Sequence, residues 1–330
     1  AQVLNAMYLN AHSWYSLRYG VLSPKQLVEQ ARKLGAEALA LTDINNTSAA
    51  IEFAHHCREA GIKPLFGIDF RREHRCLYIG LAQNEEGFGE LNRLLTDCSL
   101  AGKPLPERAP AMPHTHIIYP QYAKVPKDLR ENEWVGILPE KVNDLHFSPW
   151  RHRQDRLLLL NAATFADEAG FKLHQLLRAI DLNIVAGRLR REDIAPRTET
   201  LLPPERLQQL FQAFPRILRN TETVIDSCRF EPQSGLQHNR QTFTGSKEGD
   251  FSLLEKLALR GCERRYGSPR ARARGIDRQA LQRVKKELQV IRKQDFCAYF
   301  LISWDIVRYA RSVGYRHVGR GSGANSIVAY

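Results

Sequence analysis

Two groups of residues have types and spacings that could do chemistry. The first is the run Gly319-Arg320-Gly321-Ser322-Gly323. Three closely spaced glycines let the backbone approach a bulky anion. Arg320 adds a planar charge and Ser322 a hydroxyl donor. A helix beginning near Ala324 would turn its unpaired N–H groups towards the same point. The run lacks the lysine of Gly-x-x-x-x-Gly-Lys-Ser/Thr and the register of Gly-x-Gly-x-x-Gly, so it reads as a phosphate cradle outside both motifs, with a flexible turn before a helix as its competitor. The second group is His12, Asp43 and Asp69. These polar residues fall where apolar, strand-like runs end.

The elements that must position these residues follow from the pattern. Residues 7–16 read as a strand entering a polar loop. Ser23-Pro24 opens a helix, with serine at the N-cap and proline at the first helical position. Leu27, Val28, Ala31 and Leu34 form its apolar stripe, and Gly35 ends it. A buried strand over 38–43, a helix over 48–60 stopped by Gly61, and a strand over 62–69 come next. Strand and helix thus alternate, with acids or a histidine at the strand ends, which is where parallel α/β folds gather active groups. Strands are expected at 76–82, 135–138 and 156–160, and helices at 85–98 and 167–180. The proline-rich stretch 101–126 reads as loop, which makes His114 and His116 a solvated pair. His55-His56 reads as helix surface or packing. A helical region runs from Pro203-Pro204 to about Cys228, broken at Pro215.

The polar stretch 231–249 separates this region from a second one, with the boundary placed between 235 and 236. Helices are expected at 251–266, 278–294 and 299–311. The middle one carries a stripe of Leu281, Val284, Leu288 and Ile291. A short strand at 316–318 is expected to lead into the glycine run.

Charge is uneven. The net charge is +12, of which +9 lies between residues 260 and 293, where twelve Lys or Arg face three acids. One end of the chain therefore looks built to meet a polyanion. Lys285, Lys286, Arg292 and Lys293 are the candidate phosphate-backbone contacts. The six cysteines are scattered singly and suit a reducing compartment. Hydrophobic content is 43 % with no membrane-length apolar run, and the first residues lack a secretory signal, with Met7 near a natural start. Cytoplasmic residence is the expectation, with no membrane partner.

The motifs His-Ser-x-Tyr-Ser (12–16), Ala-Leu-Thr-Asp (40–43) and Gly-Ile-Lys-Pro-Leu-Phe-Gly-Ile-Asp (61–69) resemble the opening of a PHP domain. Tyr-Phe-Leu-Ile-Ser-Trp-Asp (299–305) and Gly-Arg-Gly-Ser-Gly-Ala-Asn-Ser (319–326) resemble the start of a polymerase palm. In this order they resemble the N-terminal part of the bacterial replicative DNA polymerase III alpha subunit. The resemblance implies an α/β fold: a distorted β/α barrel of PHP type over 1–235, then the first helices and strand of a nucleotidyltransferase-like palm over 236–330. It implies template-directed deoxynucleotide transfer by the parent protein with Mg²⁺, on a DNA primer-template and a dNTP. Gly319 to Gly323 would then face the nucleotide phosphates. A proofreading exonuclease and other replisome subunits are the implied partners. No paired aspartates follow the glycine run, so the 330 residues alone are expected not to polymerise.

Against the PHP ligand pattern several positions are lost. Asn10 stands for a histidine, Ile44 for another, Tyr19 for an acid, and Ala162 and Thr164 for an Asp-x-His pair anchored on His174. Only His12, Asp43 and Asp69 remain, enough at most for one loosely held ion. A degenerate, structural barrel without metal is expected. A metal-dependent PHP phosphoesterase or exonuclease is the alternative.

Overall fold

The computed structural model describes residues 6–121, 123–232, 241–267 and 277–330. The expected boundary at 235/236, and the arginines at 270, 272 and 274, lie outside them. The chain divides into two compact units, residues 1–234 and 235–330.

In the first unit β1 (Ala6–Ala11), β2 (Ala36–Leu41) and β3 (Lys63–Arg72) run parallel, joined through α1 (Pro24–Lys33) and α2 (Ala50–Ala60). The helices start and stop where the local chemistry dictates. The Ser23 hydroxyl accepts from Gln26 N at 3.1 Å while the Gln26 amide accepts from Ser23 N at 2.9 Å, so two orphan donors of α1 are satisfied reciprocally. Gly61 ends α2 at φ +69°, a left-handed position that favours glycine. β4 (Arg75–Ala82) returns antiparallel to β3. After α3 (Glu85–Leu100), β5 (Thr115–Pro120) pairs antiparallel with β4; β6 (Glu133–Ile137) and β7 (Leu157–Leu159) extend the sheet in parallel.

The sheet order is β7-β6-β5-β4-β3-β2-β1-β8, and β8 (Ala162–Ala163) pairs with β1. Only residues 160–161 separate β7 from β8. One stretch of chain thus forms both outer strands, which brings the two ends of the sheet together as a distorted barrel. Side chains alternate along the strands: Ala38 and Ala40 join the inner cluster with Leu9, Leu65, Ile79 and Ile118, whereas Leu39 and Leu41 face the helix layer. The interior is tight. A Cβ on Gly67 would lie 2.2 Å from the Gly80 carbonyl oxygen. α4 (Glu168–Leu182), α5 (Pro204–Phe211) and α6 (Pro215–Ser227) complete the unit, and Val224, Ile225 and Cys228 close one end of the barrel.

One expectation is corrected here. The stretch 101–126 is not all loop, because it contains β5. Its prolines flank the strand or end it, where no ladder N–H is required. His116 is accordingly buried rather than solvated. Its Nδ1 accepts from Trp134 Nε1 at 3.2 Å, and its Nε2 lies 2.7 Å from the Ser227 hydroxyl. Burial lowers its pKa to about 4.

The second unit holds α7 (Lys247–Tyr266), α8 (Arg278–Lys293) and α9 (Cys297–Ser312). Leu254, Val284, Leu288, Ile291, Cys297 and Leu301 form its core. The innermost row of α8 begins at Ala280; Leu281 lies at the margin of the stripe, half-buried. The strand expected at 316–318 does not form. Among the described residues this unit has no strand for it to pair with.

Candidate functional site at the barrel mouth

The polar group gathers at one end of the barrel because three strands end there: His12 follows β1, Asp43 lies two residues past β2, and Asp69 sits in β3. All three are buried. Their bonding shows what each can do.

Asp43 is occupied by the loop that follows β1. Its Oδ1 accepts from Ser13 N and from the Ser16 hydroxyl, each at 2.7 Å, and its Oδ2 accepts from the Ser13 hydroxyl at 2.7 Å. Burial raises its pKa, and these hydrogen bonds only partly oppose that. The Ser16 hydroxyl also accepts from Ile44 N at 3.0 Å. Here the carboxylate acts as a clamp between the two strand ends.

Asp69 is neutralised from within the protein. Its Oδ2 accepts from Arg71 Nε at 2.9 Å, from Arg71 Nη2 at 2.7 Å and from His12 Nε2 at 3.0 Å. Burial alone would raise the Asp69 pKa, yet Arg71 and His12 hold it far below the usual carboxylate range. Burial opposes the charge on Arg71, and Asp69 more than compensates. The guanidinium lies 4.5 Å from the centre of the Tyr19 ring, which adds a cation–π contact. Asp69 Oδ1 is buried without a hydrogen-bond partner.

The other nitrogen of His12 is also engaged, at 2.9 Å from the Thr164 hydroxyl, which in turn donates to Glu199. Asn10 accepts from the Thr42 hydroxyl at 2.7 Å. His174 accepts at Nε2 from Ala195 N, 2.8 Å away, so its Nδ1–H donates to the Tyr19 carbonyl at 2.7 Å. Both of its nitrogens are spent on backbone. Burial lowers its pKa to about 4 despite the favourable bond to Tyr19.

The structure therefore brings Asn10, His12, Asp43, Asp69, Tyr19 and Thr164 to one place, but as an interlocked hydrogen-bond network. Sequence reasoning missed Arg71, Ser13, Ser16 and Glu199. Arg71 was findable: two residues from Asp69 on one strand, it must share that strand's face. Glu199 comes from a distant loop and leaves no local signal. A cavity of about 530 Å³ opens above the network, lined in part by Tyr15, Tyr19, Asn45, Arg71, His74 and Arg178.

In the second unit the glycine run is exposed throughout, as are Lys285, Lys286, Arg292 and Lys293. Arg292 lies 4.5 Å from the centre of the Phe251 ring. Gly321 takes φ +88°, and only a short 3₁₀ turn, Ser322–Asn325, follows. The helix expected near Ala324 is absent. Glu287 explains this locally: its Oε2 accepts from the Ser326 hydroxyl at 2.8 Å and from Val328 N at 3.2 Å, while Arg283 donates to the Asn325 carbonyl at 2.9 Å. These bonds to α8 compete with the first turn of a helix, whose nucleation is unfavourable. The glycine-run amides are thus not gathered at a helix N-terminus.

Comparison with known proteins finds likeness in two separate stretches. Residues 9–132 match the PHP domain, and residues 252–330 match the bacterial DNA polymerase III alpha NTPase domain. The chain is thus similar to a PHP domain over one stretch and to part of a polymerase alpha module over another. It resembles the N-terminal part of the bacterial DNA polymerase III alpha subunit. An error-prone DNA polymerase of Symbiobacterium thermophilum is 28% identical over 377 residues, covering 99% of this chain and 34% of that protein. The DNA polymerase III subunit alpha of Bacillus subtilis is 26% identical over 367 residues, covering 99% of this chain and 32% of its own length. This chain spans about a third of the length of these relatives. An amidohydrolase structure from Chromobacterium violaceum is 24% identical, covering 29% of this chain and 34% of that one at a TM-score of 0.25, a likeness confined to part of each. No helix among the described residues is long and apolar enough to cross a membrane.

Proposed function

We propose that this chain is the N-terminal part of a template-directed DNA polymerase whose PHP barrel, residues 1–235, serves as a structural scaffold. The observation that carries this reading is the state of the barrel mouth. His12 and Asp43 are committed to hydrogen bonds through every polar side-chain atom, Asp69 is committed through Oδ2, and a guanidinium supplies the positive charge beside it. A hydrolytic metal site needs open coordination positions and carboxylates free to hold ions; here the carboxylates hold loops and an arginine. Residues 236–330 begin the palm. Lys285, Lys286, Arg292 and Lys293 contact the DNA backbone, and Gly319 to Gly323 with Arg320 and Ser322 contact the triphosphate of a dNTP once the run is ordered by that ligand. The parent enzyme uses Mg²⁺ for nucleotidyl transfer and works in the cytoplasm with other replisome subunits. A scaffold barrel is also a natural dock for a separate proofreading exonuclease.

The open cavity above the network keeps one competitor in play, a metal-dependent phosphoesterase or exonuclease. An assay of the purified chain with Mn²⁺ or Zn²⁺ on a phosphomonoester and on single-stranded DNA separates the two. The expected result is no hydrolysis above that of Asp69→Asn. Turnover that Asp69→Asn abolishes would establish the competitor.

A further inference from the structure

We propose that the last turns of α2 form a surface site for one divalent cation of the zinc, nickel or copper class, held by His55, His56 and Glu59. The site is separate from the barrel mouth and independent of it.

Successive residues on a helix lie about 100° apart, and Glu59 follows His55 by four residues and His56 by three. Its side chain therefore falls between the two rings on one helix face. Its carboxylate is split between them: Oε1 lies 3.5 Å from His55 Nε2 and Oε2 lies 3.3 Å from His56 Nδ1. One ligand atom from each of the three residues lies within 4.8 Å of the others, the only such group of three among the described residues. Adjacent ligands of an ion with bonds near 2.0–2.1 Å are roughly 3–3.4 Å apart. The two measured spacings lie within and just above that range, and the ligand atoms of His55 and His56 lie within 4.8 Å of each other, so binding needs side-chain rotations that draw both rings and the carboxylate together.

The electrostatics also favour a cation. Glu59 lies in the last turn of α2, where the helix dipole is negative, and His55 and His56 lie one turn earlier. The nearby Arg58 is paired with Glu231. Two imidazoles and one carboxylate select a borderline ion over Mg²⁺ or Ca²⁺, which prefer all-oxygen shells. His55 and Glu59 are exposed, with side-chain accessibilities of 61% and 62%, so water or a donor from another molecule would complete the shell.

The test is calorimetric titration of the chelator-treated 330-residue chain with Zn²⁺ and Ni²⁺, alongside His55→Ala, His56→Ala, Glu59→Gln and the control His114→Ala. Alanine is the best helix former, and circular dichroism checks that α2 persists. The expected result is one equivalent bound by the parent chain and by His114→Ala, with affinity lowered at least about ten-fold in each of the other three, the scale on which metal sites respond to damage. Saturation only at millimolar metal, or affinity in His55→Ala and His56→Ala equal to that of the parent chain, would overturn the proposal.

Discussion

Arg71 carries the largest consequence of any single residue. Its side chain is 8% exposed and its charge is matched by a fully buried Asp69. Removing one member of such a pair strands the other, and Arg71→Ala should destabilise the barrel by about 3 kcal/mol or more, read as a fall in the urea midpoint. A change below about 1 kcal/mol would mean that water readily replaces the guanidinium. Two histidines set the acid response. His116 and His174 are both lowered to about 4 by burial, against an ordinary value of 6.5. The unfolded chain takes up these protons first. Their contribution is therefore complete above about pH 6.5 and lost as the pH falls towards 4. At pH 5 each should cost about 2 kcal/mol relative to neutral pH. Asp69, depressed rather than raised, loses its contribution only below the usual carboxylate range and does not enter that window. Urea midpoints at pH 7 and pH 5 check the sum, and His116→Gln should remove roughly half of the difference.

At the scale of elements, what is written locally was legible and what depends on distant partners was not. The Ser23-Pro24 start of α1 and the Gly61 stop of α2 are read from neighbouring residues, and both stand in the structure. Ser23→Ala should cost about 1 kcal/mol through loss of the reciprocal cap, measurable as a lowered melting temperature. β5 was hidden because the prolines around it signal loop, while the strand is stabilised by β4 and β6 on either side. The reverse holds for residues 316–318, expected as a strand but, among the described residues of this unit, without a neighbour to pair with. The helix expected at Ala324 was lost to Glu287 on α8, a contact that spans 39 residues to Ser326. At the mouth, the identities of Asn10, Tyr19, Ile44 and Thr164 were plain from the sequence alone. That Arg71 and Glu199 would fill the network was not, because their partners lie on other strands and loops.

At the scale of the molecule, charge and site are divided between the two units. The first, with a network sealed by its own arginine, is suited to holding shape. The second carries the exposed cations of α8. Binding of single- or double-stranded DNA should weaken steeply with salt, and Lys285→Glu with Lys286→Glu should lower affinity for all sequences alike and flatten the salt slope by about one unit per lost phosphate contact. Sequence-selective loss, or no loss, would point to a different contact surface. The central claim, that a network of hydrogen bonds and an arginine has taken the place of ions at the barrel mouth, is tested most directly by elemental analysis. The His55→Ala/His56→Ala chain, purified with Mn²⁺ and Zn²⁺ supplied and then desalted, should retain no ion whose presence depends on Asp69. One or more ions per chain that Asp69→Asn releases would contradict it.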